Sequence, residues 1–337
     1  MRDLGRAIIF REGCYMKALG KDILIAFVAG VILPAVLVRA GVALRATPRA
    51  DPEPVALTEP LQTRWDCEIL FLKDDGTVVP VELEEYLVGA VLGEMPASFE
   101  QEALKAQAVA ARTYAWKAFQ TRGRHSDGAV CGDYACCQAY ISPENYLDKG
   151  GLHQNVDKIR LAVYATAGQV LTYEGELIEA TYFSCSGGRT EDAVAVWGSD
   201  FPYLRSVESP GEEEAAWFTD EEIFSRSELE SALGVSLEGD PTAWFGEMTY
   251  TAGGGVKTIR IADRLFPGTK LRGILGLRST AFSVRIEGDA VVFTTRGYGH
   301  RVGMSQYGAD AMARSGEDYA RILAHYYPGT ELVLLEE

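Results

Sequence analysis

The sequence predicts a mixed α+β domain behind a single N-terminal transmembrane helix. Three observations carry that reading. Residues 23–38 (ILIAFVAGVILPAVLV) hold no charge. Residues 67–119 read as a strand hairpin followed by two helices. Later segments, VKTIRIAD and TAFSVRIEGDAVVFTTRG, alternate as strands do. Hairpin-connected strands imply a largely antiparallel sheet, with the helices packed on it. The chain has 337 residues, 47% of them hydrophobic, enough for one large domain or two ordinary ones. No internal repeat is visible.

The net charge is -16, which argues against nucleic acid as a ligand. The charge is uneven. Residues 1–45 hold seven Lys/Arg against three acids, a net +4, so the remainder carries -20. The uncharged run has 16 residues, and GVAL after Arg39 extends it toward the ~20 that span a bilayer. Basic residues precede it, which places residues 1–22 in the cytoplasm and the rest of the chain outside. A cleaved signal peptide and a buried core helix are the alternative readings of the same run. The expected organisation is an anchor at 23–43, a Pro-containing linker at 44–64 and an exported domain at 65–337 of a single-pass cell-membrane protein. The linker, RATPRADPEPVALTEPLQTR from residue 45, has four prolines and no hydrophobic period.

The exported domain opens with a hairpin: a strand at 67–72, an Asp75-Gly76 turn and a return at 77–81. A helix then begins at Glu82. Leu83, Leu87, Ala90 and Val91 form one stripe, and the next position on that stripe is Glu94. Pro96 disfavours helix at Met95, so the helix should stop there. Glu94 thus sits on a core-facing stripe in a last helical turn. Partial desolvation and the negative end of the helix dipole both raise a carboxyl pKa, as a general acid requires. A Glu snorkelling to solvent from a helix end is the plainer alternative. The next segment, SFEQEALKAQAVAARTYAWKAF, starts with a capping-box pattern at Ser98 and Gln101. Its stripe is Leu104, Ala108, Ala111, Ala115 and Phe119. Arg112 borders that face and needs a partner: Glu94, another carboxylate or a ligand.

His125, Cys131, Cys136 and Cys137 put four soft ligands within 13 residues, a metal-like density. The H-x5-C-x4-C-C spacing is no common finger pattern, and disulfides or free thiols remain alternatives. With Cys14 in the cytoplasm, five cysteines are exported, an odd number, and adjacent Cys136 and Cys137 suit ordinary bridges poorly. Four protein ligands would close the shell of a zinc ion, making it structural. The acidic stretch 208–248 reads as a peripheral helical insertion. A small-residue loop, SCSGGRTE from Ser184, allows close backbone approach by a ligand. His300, Ser305 and Gln306 lie among glycines in GYGHRVGMSQYGADAMARSG. Alone, His300 reads as a structural, hydrogen-bonded histidine.

The motifs EYLVGAVLGEMP, ALKAQAVAARTYA, SGGRTE, LRGILGLRSTAFSV and GHRVGMSQYGADAMA, in that order, resemble the stage II sporulation protein D family of peptidoglycan lytic transglycosylases. The likeness spans residues 67–332. It implies that Glu94 is the catalytic acid/base. It further implies that Arg112, Ser186, Gly187, Gly188, His300, Ser305 and Gln306 line the substrate site, and that His125, Cys131, Cys136 and Cys137 bind zinc. Two positions depart from the family pattern, Cys185 in place of Ser or Thr and Arg301 in place of Gly. Peptidoglycan glycan strands stripped of peptide are the implied substrate, and stage II sporulation proteins P and M the implied partners in engulfment. The rival expectations are a non-enzymatic wall-binding module that stimulates an amidase, and a zinc hydrolase using the His/Cys cluster.

Overall fold

The computed structural model describes residues 67–335, apart from Asp289. The expected cytoplasmic segment, anchor and linker (1–22, 23–43 and 44–64) lie outside the described residues. Among the described residues, no helix is long and apolar enough to cross a membrane.

The first hairpin forms as expected. β1 (Glu68–Leu72) pairs antiparallel with β2 (Val78–Glu82), and Gly76 takes the positive φ (83°) that its turn needs. Helix α1 (Leu83–Glu94) follows at once and ends before Pro96. It is more enclosed than one stripe would make it: Leu83 through Leu92 are buried except Glu85. Helix α2 (Gln101–Thr121) is likewise buried nearly all round, its alanines letting neighbours approach closely. The expected Ser98 capping box does not form. Glu100 is the N-cap residue, and its backbone N–H donates to Asp310 Oδ1 at 2.7 Å, so a distant aspartate supplies the cap.

A short β3 (Val130–Cys131) adds in parallel to β1. Helices α3 (Pro143–Asp148) and α4 (His153–Ala165) precede β4 (Gln169–Tyr173) and β5 (Glu176–Leu177). β6 (Tyr182–Phe183) leads to α5 (Ala193–Trp197). One core gathers α1, α2, α4 and the C-terminal helices.

A second core belongs to residues 219–296. It holds β7 (Thr219–Ser225), α6 (Arg226–Leu233), β8 (Phe245–Tyr250), β9 (Val256–Ile261), β10 (Arg264–Pro267), α7 (Gly268–Leu275), β11 (Phe282–Glu287) and β12 (Ala290–Arg296). The expected helical insertion at 208–248 is therefore corrected. That stretch contains one eight-residue α-helix, while residues 219–225 and 245–248 join the antiparallel sheets β11-β12-β7 and β10-β9-β8 and most of the remainder is loop. The acidic run misled because β7 (TDEEIFS) has both faces partly wet, so its carboxylates gave no strand signal; Glu221 pairs with Arg285 of β11 at 2.8 Å.

The chain returns through β13 (Met304–Ser305), parallel to β6, then α8 (Gln306–Arg314), α9 (Tyr319–Tyr326) and β14 (Glu331–Leu334), which pairs with β4. Pairing is largely antiparallel and the class is α+β. Among the described residues, the strands form five small sheets rather than one.

Candidate active site

Glu94 is the last residue of α1 and lines a groove of about 690 Å³. A segment from the cysteine cluster holds it there. The backbone N–H of Ala139 donates to Glu94 Oε1 at 2.6 Å, and the Gln306 side chain also hydrogen-bonds the carboxylate. Burial outweighs these two bonds and raises the Glu94 pKa. Among the described residues, no other Asp or Glu lines this groove.

Two glycines one turn apart make this contact possible. A Cβ on Gly93 would lie 2.8 Å from the backbone of Ala139 and Tyr140, and one on Gly89 would strike the Tyr140 ring. Segment 138–141 therefore lies directly on the α1 backbone. Ile141 N–H donates to the Gly89 carbonyl at 3.1 Å, Gln138 Oε1 accepts from Tyr86 Oη at 3.0 Å, and Tyr140 stacks on Tyr86 with centroids 5.5 Å apart.

The same segment starts at the cysteines. The ligand atoms of His125, Cys131, Cys136 and Cys137 all lie within 4.8 Å of one another. Cys136 Sγ is 3.5 Å from His125 Nε2 and 3.9 Å from Cys137 Sγ. Tetrahedral zinc, with Zn–S near 2.3 Å, sets its ligand atoms about 3.8 Å apart, so the donor set fits such an ion in spacing and chemistry. The five cysteines among the described residues form no disulfide with one another.

Of the other expected site residues, His300 and Gln306 line the Glu94 groove. His300 packs on Trp197 (centroids 5.1 Å apart) and Phe183 (5.6 Å). Its Nδ1 accepts from Val302 N–H at 3.1 Å, and its ring hydrogen-bonds the Tyr182 backbone. Burial first, then the nearby Arg272 charge, push its pKa down to about 4, so it is neutral at pH 7.

Arg112 is not in the groove. It is fully buried, with Nε and Nη2 donating to Glu84 at 2.9 and 2.5 Å and further bonds to the Val163 and Gln169 carbonyls. Its partner is another carboxylate, in the core. Ser186, Gly187, Gly188 and Ser305 are also outside the groove lining. Ser186 N–H, Ser186 Oγ and Gly187 N–H all donate to Glu212 Oε2 at 2.8–3.0 Å, so the loop's donors are filled by the protein itself. Gly187 is small because the Arg296–Gly297 backbone, not a ligand, lies against it; a Cβ there would come within 2.8 Å. Ser305 caps α8, accepting from Gly308 N–H. Cys185 points at Glu212 too, its Sγ 3.3 Å from Oε2, and burial raises its thiol pKa to about 12.

Sequence reasoning missed Ala139, Tyr182, Trp197, Arg124 and Arg272, all in the groove lining. The glycine pair Gly89/Gly93 was the available signal for Ala139. Trp197 is 43% exposed, an aromatic face of the kind on which a sugar ring can stack.

A family model described as "Stage II sporulation protein" matches residues 73–173, which include α1, α2 and the His/Cys cluster. Stage II sporulation protein D of Bacillus amyloliquefaciens is 41% identical over 268 residues, 78% of this chain and 77% of the relative. The chain belongs to the stage II sporulation protein D family. The Bacillus subtilis (strain 168) member is 40% identical over 261 residues, 76% of each chain. A protein of the same strain named "Amidase enhancer" is 31% identical over 305 residues, 73% of this chain and 40% of that protein. Glu94, His125 and Cys131 to Cys137 fall within the stretch matched by the family model.

Proposed function

We propose that this member of the family is a peptidoglycan lytic transglycosylase, cleaving the MurNAc–GlcNAc bond of peptide-stripped glycan strands during sporulation. The supporting observation is that one carboxylate, Glu94, stands in the groove with a raised pKa. Glycoside hydrolysis ordinarily uses two carboxylates, the second as nucleophile or water-activating base. A transglycosylase needs neither, because the C6 hydroxyl of the same muramic ring attacks its own C1. Protonated Glu94 gives its proton to the glycosidic oxygen as that bond breaks. The resulting carboxylate then takes the proton from the C6 hydroxyl as the new C1–O6 bond forms. The products are a free GlcNAc hydroxyl and a 1,6-anhydro-muramic end. Such acid–base assistance is worth about 10²–10⁴ in rate.

His125, Cys131, Cys136 and Cys137 would hold a zinc ion as a structural crosslink. Their closed four-donor set leaves no position for a reacting water, which disfavours a zinc hydrolase. The residues that follow Cys137 do the catalytic support: Gln138 holds Tyr86 and Ala139 holds Glu94. The uncharged run near the N-terminus favours tethering of the domain to the outer face of the cell membrane. Stage II sporulation proteins P and M are the proposed partners there, P removing the stem peptides.

The similarity to the protein named "Amidase enhancer" favours a second reading, a wall-binding module without catalysis. Peptide-free glycan strands incubated with wild type and with Glu94→Gln, then read by mass spectrometry, separate the two. Anhydro-muramic ends from wild type alone support the transglycosylase. Reducing ends from wild type would sink it, and strands bound but intact with both proteins would favour the module.

A further inference from the structure

Arg272 is a half-buried cation that no carboxylate among the described residues neutralises. It sits on α7 and reaches the groove from the second core. Its Nε donates to the carbonyls of Leu277 and Arg278 at 3.2 Å each. Among the described residues, no Asp or Glu pairs with it, and its two Nη groups have no hydrogen-bonded partner. The other buried arginines are treated differently: Arg112 is paired with Glu84, and Arg301 with Glu191 at 3.2 Å. Removing a guanidinium from water without an opposite charge is costly, and a ligand anion is the usual remedy at a binding site. In a chain of net charge -16, carboxylates to pair with are abundant. Arg124 on the same groove also lacks a carboxylate partner among the described residues. Among the described residues, the groove thus presents two cations without a carboxylate partner and one carboxylate, Glu94.

We propose that Arg272 is a specificity-determining residue that receives a carboxylate of the saccharide, the lactyl carboxylate carried on C3 of the muramic ring. This rests on the glycan reading above. The lactyl group belongs to the ring whose C1–O bond Glu94 would protonate, so it enters the same groove as the scissile bond. When a stem peptide is attached, that carboxylate is an amide: uncharged, bulkier and unable to take two parallel N–H donors. A free Nη fork therefore selects strands from which an amidase-type reaction has already removed the peptide.

The test measures binding, which does not need cleavage. Full-length Glu94→Gln protein is titrated with peptide-free strands, with the same strands converted to lactyl methylamides, and with peptide-bearing strands. The expected result is about tenfold tighter binding of the carboxylate form, falling as salt is raised. Adding Arg272→Gln should abolish that preference while leaving methylamide binding unchanged, and Arg272→Lys should keep part of it. An undiminished preference in Arg272→Gln overturns the proposal. So does an equal loss on both strands, which would mark a structural residue, or the absence of any preference in the parent. Tight, Arg272-dependent binding of peptide-bearing strands would move the carboxylate to the peptide and also overturn it. Should Arg272→Gln fail to fold, the Lys variant and the salt dependence of the parent decide. A charge preference without anhydro products from wild type would sink the reaction and leave this inference standing.

Discussion

The Ala139 N–H and Glu94 Oε1 are 2.6 Å apart, and the contact depends on a residue that has no side chain. Gly93 lies directly under Ala139. Gly93→Ala must displace the 138–141 segment or α1, at a cost of about 1–3 kcal/mol. Glycan cleavage should fall more than the folded fraction does. Urea unfolding and cleavage rate measured on one preparation check this.

The pH dependence of stability should carry the sign of Glu94. Its folded pKa is raised, so the folded state binds the proton more tightly than the unfolded state. Stability from this group is fully present below the unfolded carboxyl pKa and is lost as pH rises through the folded value. Glu94→Gln should therefore raise Tm by a few degrees at pH 7 and by little at pH 4. Cleavage by wild type should fall as pH rises past the same raised pKa, since the acid form starts the reaction. Paired melting curves of the two proteins, with a pH–rate profile, give both readings.

His300 carries the opposite sign. Its pKa drops from 6.5 unfolded to about 4 folded, so its contribution is present above 6.5 and is lost as pH falls toward 4. His300→Gln should flatten the loss of stability between those values. Cleavage above pH 5 should show no limb from this histidine. Urea midpoints across pH 4–7 provide the check.

Breaking the Arg112–Glu84 pair should be severe. Arg112→Met leaves Glu84 buried and unpaired, a loss of about 3–5 kcal/mol. Replacing both residues by apolar ones should recover much of it. Activity of the single variant should track its folded fraction, with KM for glycan unchanged, because Arg112 does not reach the groove.

Metal removal offers a further test. Chelation should loosen residues 131–141 to protease and reduce cleavage in parallel, and zinc should restore both. Cys131→Ser should mimic chelation. Loss of cleavage with the segment still protected would contradict a purely structural ion.

Much of this geometry was legible in the residue order. Asp75-Gly76 marked the hairpin, Pro96 the end of α1, and the His/Cys spacing a cluster that does converge. Partner identity was harder to read. Arg112 needed a partner, but Glu84, 28 residues earlier, lay off the stripe assigned to α1, because one stripe understates a helix enclosed on all sides. The SGG loop suggested a ligand; its donors go to Glu212, a residue in a polar stretch with no period. The start of the second core was hidden because β7 (TDEEIFS) has neither face cleanly buried, and Arg272 had no visible role until its lack of a partner could be seen.

Arg301 gives the two cores a shared bolt. Thr219 pairs with Arg296, so the chain enters and leaves the second core side by side, as a door hangs on one hinge. The far edge is fastened by Arg301, which donates to the Gly253 carbonyl at 2.8 Å, and by Glu191, which accepts from Thr251 Oγ1 and Gly255 N–H. Arg301 holds φ at 66°, a conformation that suits glycine, so its side-chain bonds offset a strained backbone. The same door carries Arg272 into the groove, so loosening the bolt by Arg301→Gly should weaken glycan binding although residue 301 is not in the groove lining, a change that titration of the variant would read.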